Sequence, residues 1–177
     1  MPIQIAVLGS DENRKANINP RILKMAEELG REIARRGAVV ICGGRGGVMK
    51  AVAKGAVEER GITVGILPSM SKNEANEYIT VVLPSGLGPV TRGSLIVRAA
   101  DVVLTIGGGV GTLGEIACAY AHRKPIIGLR GTGGWTDKLV DSYIDDRKFV
   151  KMLGGDSPEE IVDMAIEQVR RLARKID

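Results

Sequence analysis

The chain has little of what most metal, redox and nucleic-acid sites are built from. His122 is its only histidine, and the two cysteines, Cys42 and Cys118, form no CxxC pair, so a zinc site has no ligand set to draw on. Tyr78, Tyr120, Trp135, Tyr143 and Phe149 are the whole aromatic complement. A stacking platform for nucleic acid needs successive rings on one surface, and five scattered rings do not supply it. The N-terminus passes directly into Ile3-Gln4-Ile5-Ala6-Val7-Leu8-Gly9 with no basic n-region, and no apolar run approaches the roughly 18 residues of a membrane span. Neither export nor membrane contact is expected. The two thiols, read as small buried hydrophobes, suit a reducing compartment, the cytoplasm.

What is abundant is glycine, 24 of 177 residues, against a usual share of about 7%. The length fits one domain over residues 1–177, and 44% apolar with 26% charged residues describes a globular chain with a sizeable core. The net charge of +4 is spread along the chain rather than gathered into a run. That balance admits an anionic ligand and gives no reason to expect nucleic acid.

Short β-branched runs alternate with segments of helical period. The predicted strands are Ile3–Gly9, Ala38–Cys42, Thr63–Leu67, Ile79–Leu83, Val102–Ile106 and Pro125–Leu129. The predicted helices run from the Asn19-Pro20 cap to Gly37, over Val48–Arg60, Arg92–Ala100 and Gly111–Arg123, and from the Ser157-Pro158-Glu159-Glu160 capping box to Lys175. Ser71–Glu77 and Gly131–Trp135 read as surface loops, with Gly131–Gly134 expected to be mobile. Strand alternating with helix over the whole length predicts an α/β fold: a Rossmann-like, doubly wound, mainly parallel sheet with helices on both faces. Ligands of such sheets bind beyond the carboxyl ends of the strands.

Three of those ends are rich in glycine: Gly9-Ser10-Asp11, Gly43-Gly44-Arg45-Gly46-Gly47 and Gly107-Gly108-Gly109-Val110-Gly111-Thr112. Glycines between strand and helix leave main-chain amides free to face a ligand at the positive end of a helix, an arrangement suited to phosphate. None of the three matches GxxxxGK[ST], and Gly9 lacks the partners of a GxGxxG fingerprint.

Gly43-Gly44-Arg45-Gly46-Gly47-Val48-Met49 and Gly108-Gly109-Val110-Gly111-Thr112-Leu113-Gly114-Glu115 resemble the two signature motifs of the LOG-like superfamily, the second its GGxGTxxE. The resemblance runs from Ile3 to about Leu129. That superfamily includes cytokinin-activating nucleoside 5′-monophosphate phosphoribohydrolases, proteins carrying a lysine decarboxylase label, and molybdenum cofactor carrier proteins. The phosphoribohydrolase branch has an RK pair nine residues ahead of an aspartate. Arg92 stands nine residues before Asp101, while Gly93 replaces the lysine and Gly107 the proline that precedes GGxGT. The wording GGRGGVMKAVAKGA is closer to the carriers, where the scaffold holds a phosphorylated pterin.

The resemblance implies a phosphorylated, nucleotide-like ligand, with hydrolysis of the N-glycosidic bond of a nucleoside 5′-monophosphate as the reaction. The alternative is a non-catalytic carrier of molybdenum cofactor or a nucleotide. No cofactor is required, no dedicated metal site is expected, and a homodimer or larger homo-oligomer is implied. Glu115 and Arg92 are the catalytic candidates. Gly9, Ser10, Gly43, Gly44, Arg45, Gly46, Gly47, Gly108, Gly109, Gly111 and Thr112 are the ligand-binding ones.

Each candidate has a plainer reading. Thr112-Leu113-Gly114-Glu115 is also a T-x-x-E capping box, Arg92 a solvated first-turn arginine set against the helix dipole, and Arg45 a solvent-facing side chain. His122 reads as a cation at a helix C-terminus. Trp135 reads as a pocket cover, a surface anchor or a subunit contact, and Ile116–Tyr120 as a subunit interface or a buried face. Lys50, Lys54 and Lys124 sit at helical or helix-end positions. They offer no Schiff-base site, so pyridoxal-dependent lysine decarboxylation is not expected.

Overall fold

The computed structural model describes residues 1–11 and 18–174. Seven strands, β1 (Gln4–Gly9), β2 (Val39–Cys42), β3 (Thr63–Leu67), β4 (Val81–Pro84), β5 (Val102–Ile106), β6 (Ile126–Leu129) and β7 (Leu153–Gly155), pair in the order β4-β3-β2-β1-β5-β6-β7. Every pairing is parallel. Among the described residues there are six α-helices, α1 (Pro20–Arg35), α2 (Val48–Glu58), α3 (Gly88–Ala99), α4 (Val110–Ala121), α5 (Gly134–Leu139) and α6 (Pro158–Ala173), and a short 3-10 helix at Lys72–Glu74. This is the Rossmann-like architecture expected from the alternating pattern. Among the described residues no helix is long and apolar enough to cross a membrane.

The near-continuous apolar strands follow from burial on both sheet faces. Along β1, Ile5 and Val7 pack with Leu29, Ile33 and Val52 of α1 and α2 and with Ile161 of α6. Ala6 and Leu8 pack against Ile96 of α3 and Ile116 of α4 on the other face. The strand order reverses between β1 and β5, where Gly9 lies beside Ile106. A crevice forms at such a switch point, so the first and third glycine-rich ends emerge side by side.

Four differences from the sequence reading have local causes. Strand β4 begins at Val81 rather than Ile79 because Thr80 meets Thr63 largely through hydroxyls, each accepting from the other's N–H at 2.9 Å. Strand β7 was not predicted; its Leu-Gly-Gly run carries no β-branched signal. Helix α3 begins at Gly88, four residues before Arg92. Helix α5 occupies ground read as a mobile loop, because Asp137 accepts from the amides of Gly131 (3.0 Å) and Gly133 (2.7 Å) and closes the turn. Helix α6 is described to Ala173, and the predicted end at Lys175 lies outside the described residues.

Helices α1 and α2 touch backbone to backbone. A Cβ on Gly30 would overlap the Val52 carbonyl oxygen, and one on Gly55 that of Glu27. The exposed rim of this contact carries ion pairs from Arg31 to Glu27, Glu28 and Glu58, worth little singly at the surface. Gly55→Ala is expected to destabilise the protein by about 1–3 kcal/mol, even though alanine is the better helix former. Gly114→Ala, exposed and with nothing near its Cβ position, should stabilise by up to about 1 kcal/mol. Urea denaturation of both variants checks the pair.

Candidate functional site

The loop after β5 is held from behind. Gly107 and Gly108 take φ of +57° and +93°, open to glycine at little cost. The Gly107 carbonyl accepts from the Thr136 amide (3.1 Å) and hydroxyl (2.8 Å), and the Gly108 carbonyl from the Trp135 amide (3.0 Å). The Gly107 amide donates to the Thr132 hydroxyl at 2.9 Å. The carbonyls of Gly107 and Gly108 are thus anchored on α5 and the Gly107 amide on Thr132. The N-cap of α4 is Gly109, which brings no side chain to the helix end. Leu113 N–H is bonded back to Gly109 O at 3.0 Å, so the amides ahead of it in the first turn have no helical acceptor. Gly109 and Gly111 are exposed, and the buried Thr112 packs its side chain against Gly108.

This start to α4 removes the capping-box reading. Thr112 is the third helical residue rather than the cap, and Glu115 stands in the second turn. Its carboxyl lies instead against α3, where a Cβ on Gly93 would sit 2.8 Å from Oε1. Burial pushes the Glu115 pKa up from 4.5 to about 7, against the pull of Arg92, which favours the ionised form.

Arg92 is also not the solvated first-turn residue of the plainer reading. It is the fifth residue of α3, 8% exposed, with its guanidinium packed over the backbone of Gly43, where a Cβ would overlap Nη1. Its Nε is buried without a hydrogen-bond partner. Among the described residues no carboxylate lies within 4.0 Å of it. Desolvation lowers its pKa, while Glu115 and Asp11 attract its charge and Arg45 repels it. A buried guanidinium without an ion pair costs several kcal/mol. Arg92 therefore holds a largely buried positive charge that no carboxylate among the described residues pairs directly.

The second glycine-rich end forms the facing wall. Gly47 caps α2, and the Ser10 carbonyl accepts the Val48 amide at 3.0 Å. Gly9 is squeezed between Val48 and Ile106, where a Cβ would come within 2.6 and 2.9 Å. Gly43 and Gly44 are buried, whereas Arg45 and Gly46 reach the surface. Arg45 Nε stands 3.8 Å from both Asp11 and Glu74. Its solvent-facing reading gives way to a half-buried position between two carboxylates.

Asn76, which the sequence did not single out, fixes this loop. Its side-chain amide donates to the carbonyls of Gly44 (3.1 Å) and Arg45 (2.8 Å), and its backbone amide to Gly44 (2.9 Å). Asp11, Thr132 and Thr136 were likewise missed. Their partners lie far along the chain, and no local pattern marks them.

Other candidates fall outside the pocket. His122 closes α4 with its ring nitrogen 2.9 Å from the Cys118 carbonyl. Cys42 is fully buried, and burial raises its thiol to about 11, leaving it protonated. Cys118, expected to be buried, is only half so. Trp135 is half-buried beneath the Lys138 ammonium, 4.6 Å from the ring centre.

Fold and site together define a Rossmann-like protein with glycine-rich strand ends and a buried arginine beside the switch point of its sheet. Residues 2–162 match the model of the SLOG cluster4 family, and the chain belongs to that family. An uncharacterized protein of Archaeoglobus fulgidus is 36% identical over 128 residues, 72% of this chain and 80% of the relative. A cytokinin riboside 5′-monophosphate phosphoribohydrolase of Mycobacterium tuberculosis is 30% identical over 159 residues, 78% of this chain and 82% of the enzyme. The molybdenum cofactor binding protein of Rippkaea orientalis superposes with a TM-score of 0.83 at 31% identity, covering 96% of this chain and 98% of that one.

The raised Glu115 pKa makes a stability prediction. Between about 4.5 and 7 the folded protein retains a proton that the unfolded chain releases, so Glu115 lowers stability as pH rises through that window. Glu115→Gln removes this slope. The difference in denaturation midpoint between variant and wild type is expected to grow in the variant's favour from pH 4.5 to 7.

Proposed function

We propose that the protein binds a phosphorylated, nucleotide-like small molecule and hydrolyses the N-glycosidic bond of a nucleoside 5′-monophosphate. The observation that carries the reading is the orphaned Arg92 guanidinium within electrostatic reach of Glu115, a pairing that calls for an anion beside a group able to hold or release a proton near pH 7.

In this reading the amides of Gly108, Gly109, Gly111 and Thr112 hold the phosphate at the start of α4, where the helix dipole adds to them. Arg92 supplies the counter-charge. Gly43, Gly44, Arg45, Gly46 and Gly47 line the opposite wall, and Gly9 and Ser10 form the floor between. Water attacks C1′ as the bond to the base breaks, and the base leaves with a proton. The developing positive charge on the ribose is stabilised by the ionised Glu115, which also orients or deprotonates the water. Free base and ribose 5-phosphate are the products.

A second reading, a carrier that binds without cleaving, is favoured by Gly93. That position gives Glu115 a backbone to lie against and no cationic side chain to keep it ionised. The similarity to the Rippkaea orientalis protein supports it as well.

Incubation with AMP and GMP separates the two readings. Hydrolysis releases ribose 5-phosphate with a kcat/KM, which reports the free enzyme, that rises with pH through about 7 as Glu115 ionises. Glu115→Gln is expected to abolish release, a loss of at least about a hundredfold, while ligand binding measured by calorimetry persists. Tight binding with no product over long incubation assigns the carrier role, and unchanged turnover in the variant removes Glu115 from the reaction.

A further inference from the structure

Behind the glycine-rich loop after β5, the buried Thr105 and Thr136 form a hydroxyl network that the proposed reaction does not use. We propose that Thr136 is the positioning residue of the phosphate seat: its hydroxyl holds the Gly107–Gly108 peptide in the orientation that presents the Gly108 amide to an anion, so α5 and the seat tighten together. The inference rests on the proposed phosphate seat at α4.

That peptide needs holding. Gly107 and Gly108 flank it with φ of +57° and +93°, and glycine on both sides leaves the plane free to rotate at little cost. The described peptide bonds are all trans, and in a planar trans peptide the N–H points opposite to the C=O. A half-turn of the plane between Gly107 and Gly108 would therefore carry the Gly108 N–H to the α5 side and out of the seat.

Thr136 opposes the turn. The Gly107 carbonyl accepts from its amide at 3.1 Å and from its hydroxyl at 2.8 Å, and two donors on one residue fix direction as well as distance. A helical threonine commonly turns its hydroxyl back onto its own preceding turn. This one bonds to a different segment, 29 residues earlier in the chain. The hydroxyl also lies 2.9 Å from that of Thr105. It carries a single proton, so with that proton on the Gly107 carbonyl, Thr105 donates its own to the Thr136 oxygen and the chain of donors is complete. Both threonines are fully buried. No water stands in for a lost partner there, and a turned carbonyl would leave the Thr136 donors unmet. The rest of α5 is docked on the same plane: the Trp135 amide donates to the Gly108 carbonyl at 3.0 Å, and a Cβ on Gly134 would stand 2.4 Å from that oxygen.

The coupling runs both ways. Whatever factor the aimed peptide adds to the affinity for an anion, the anion adds to the population of the aimed peptide. Ligand arrival therefore protects the Trp135 and Thr136 amides, whose bonds hold that plane.

Calorimetry with ribose 5-phosphate on the whole protein and on two variants tests this. Thr136→Val keeps the volume and loses the hydroxyl; Thr136→Ser keeps the hydroxyl and loses the methyl group. The valine variant is expected to bind at least about fivefold more weakly and the serine variant less than about twofold more weakly, although both lose stability. Gly55→Ala, at the remote α1–α2 contact, loses stability too and is expected to keep the wild-type affinity. A second measurement needs no variant. Saturation with ribose 5-phosphate is expected to slow hydrogen exchange of the Trp135 and Thr136 amides more than that of the Ile161 amide, whose acceptor is the Ser157 carbonyl at the start of α6. Wild-type affinity in Thr136→Val, equal weakening in Thr136→Ser or Gly55→Ala, or no extra protection at Trp135 and Thr136 overturns the positioning role. Failure of ribose 5-phosphate to bind the wild-type protein overturns the proposed phosphate seat instead, and this inference with it.

Discussion

A buried guanidinium that the protein leaves without an ion pair is the constraint around which the site is organised. Arg92 sits between the backbone of Gly43 and the first turns of α4, screened from water, with Nε unsatisfied. Its cost of several kcal/mol is a large fraction of a typical folding stability of about 5–15 kcal/mol. Packing must offset it, and Ile96 and Val97, fully buried on the next turn of α3, supply part of that. A ligand that brings the missing negative charge recovers the rest, and by mass action it stabilises the fold in proportion to how far its concentration exceeds its dissociation constant.

The sequence shows why the arginine can be tolerated there. A Cβ at position 43 would overlap the guanidinium where it lies, and one at position 93 would displace the Glu115 carboxyl from its place against α3. The glycine count that first drew attention to strand ends thus has two meanings. At Gly109 and Gly111 it leaves exposed main chain at the start of α4. At Gly43 and Gly93 it makes space for charged side chains to approach main chain. Composition cannot tell these apart, because the second depends on which helix packs over which strand end.

Six of the seven strands were legible because most are buried on both faces and therefore apolar throughout, and βαβ order leaves few topologies. The three glycine-rich ends were legible for the same reason: once strands are placed, their carboxyl ends follow. What was not legible depended on contacts distant in sequence. Asn76 gives no local sign that it holds Gly44 and Arg45, thirty residues earlier. Helix α5 read as a loop because its glycines carry no helical preference, and its place is set by Asp137 and the carbonyls of Gly107 and Gly108. The capping-box motif at Thr112 misled because the pattern holds only if Thr112 is the N-cap, and the structure places the cap three residues sooner, at Gly109.

The two functional readings differ by one proton. With the crevice free, Arg92 pulls the Glu115 pKa down while burial pushes it up, and the balance falls near 7. An anion arriving at Arg92 neutralises the pull and adds a repulsion of its own, so both changes favour the protonated acid. A protonated Glu115 donates a hydrogen bond and holds a ligand without assisting bond cleavage. An ionised Glu115 stabilises a cationic sugar and promotes cleavage. Which state prevails depends on what stands beside the carboxyl. Gly93 supplies no positive charge there, so the ligand's own groups decide whether the acid keeps its proton. Under the proposed reading, cleavage and mere binding would be separated by the protonation of this one side chain.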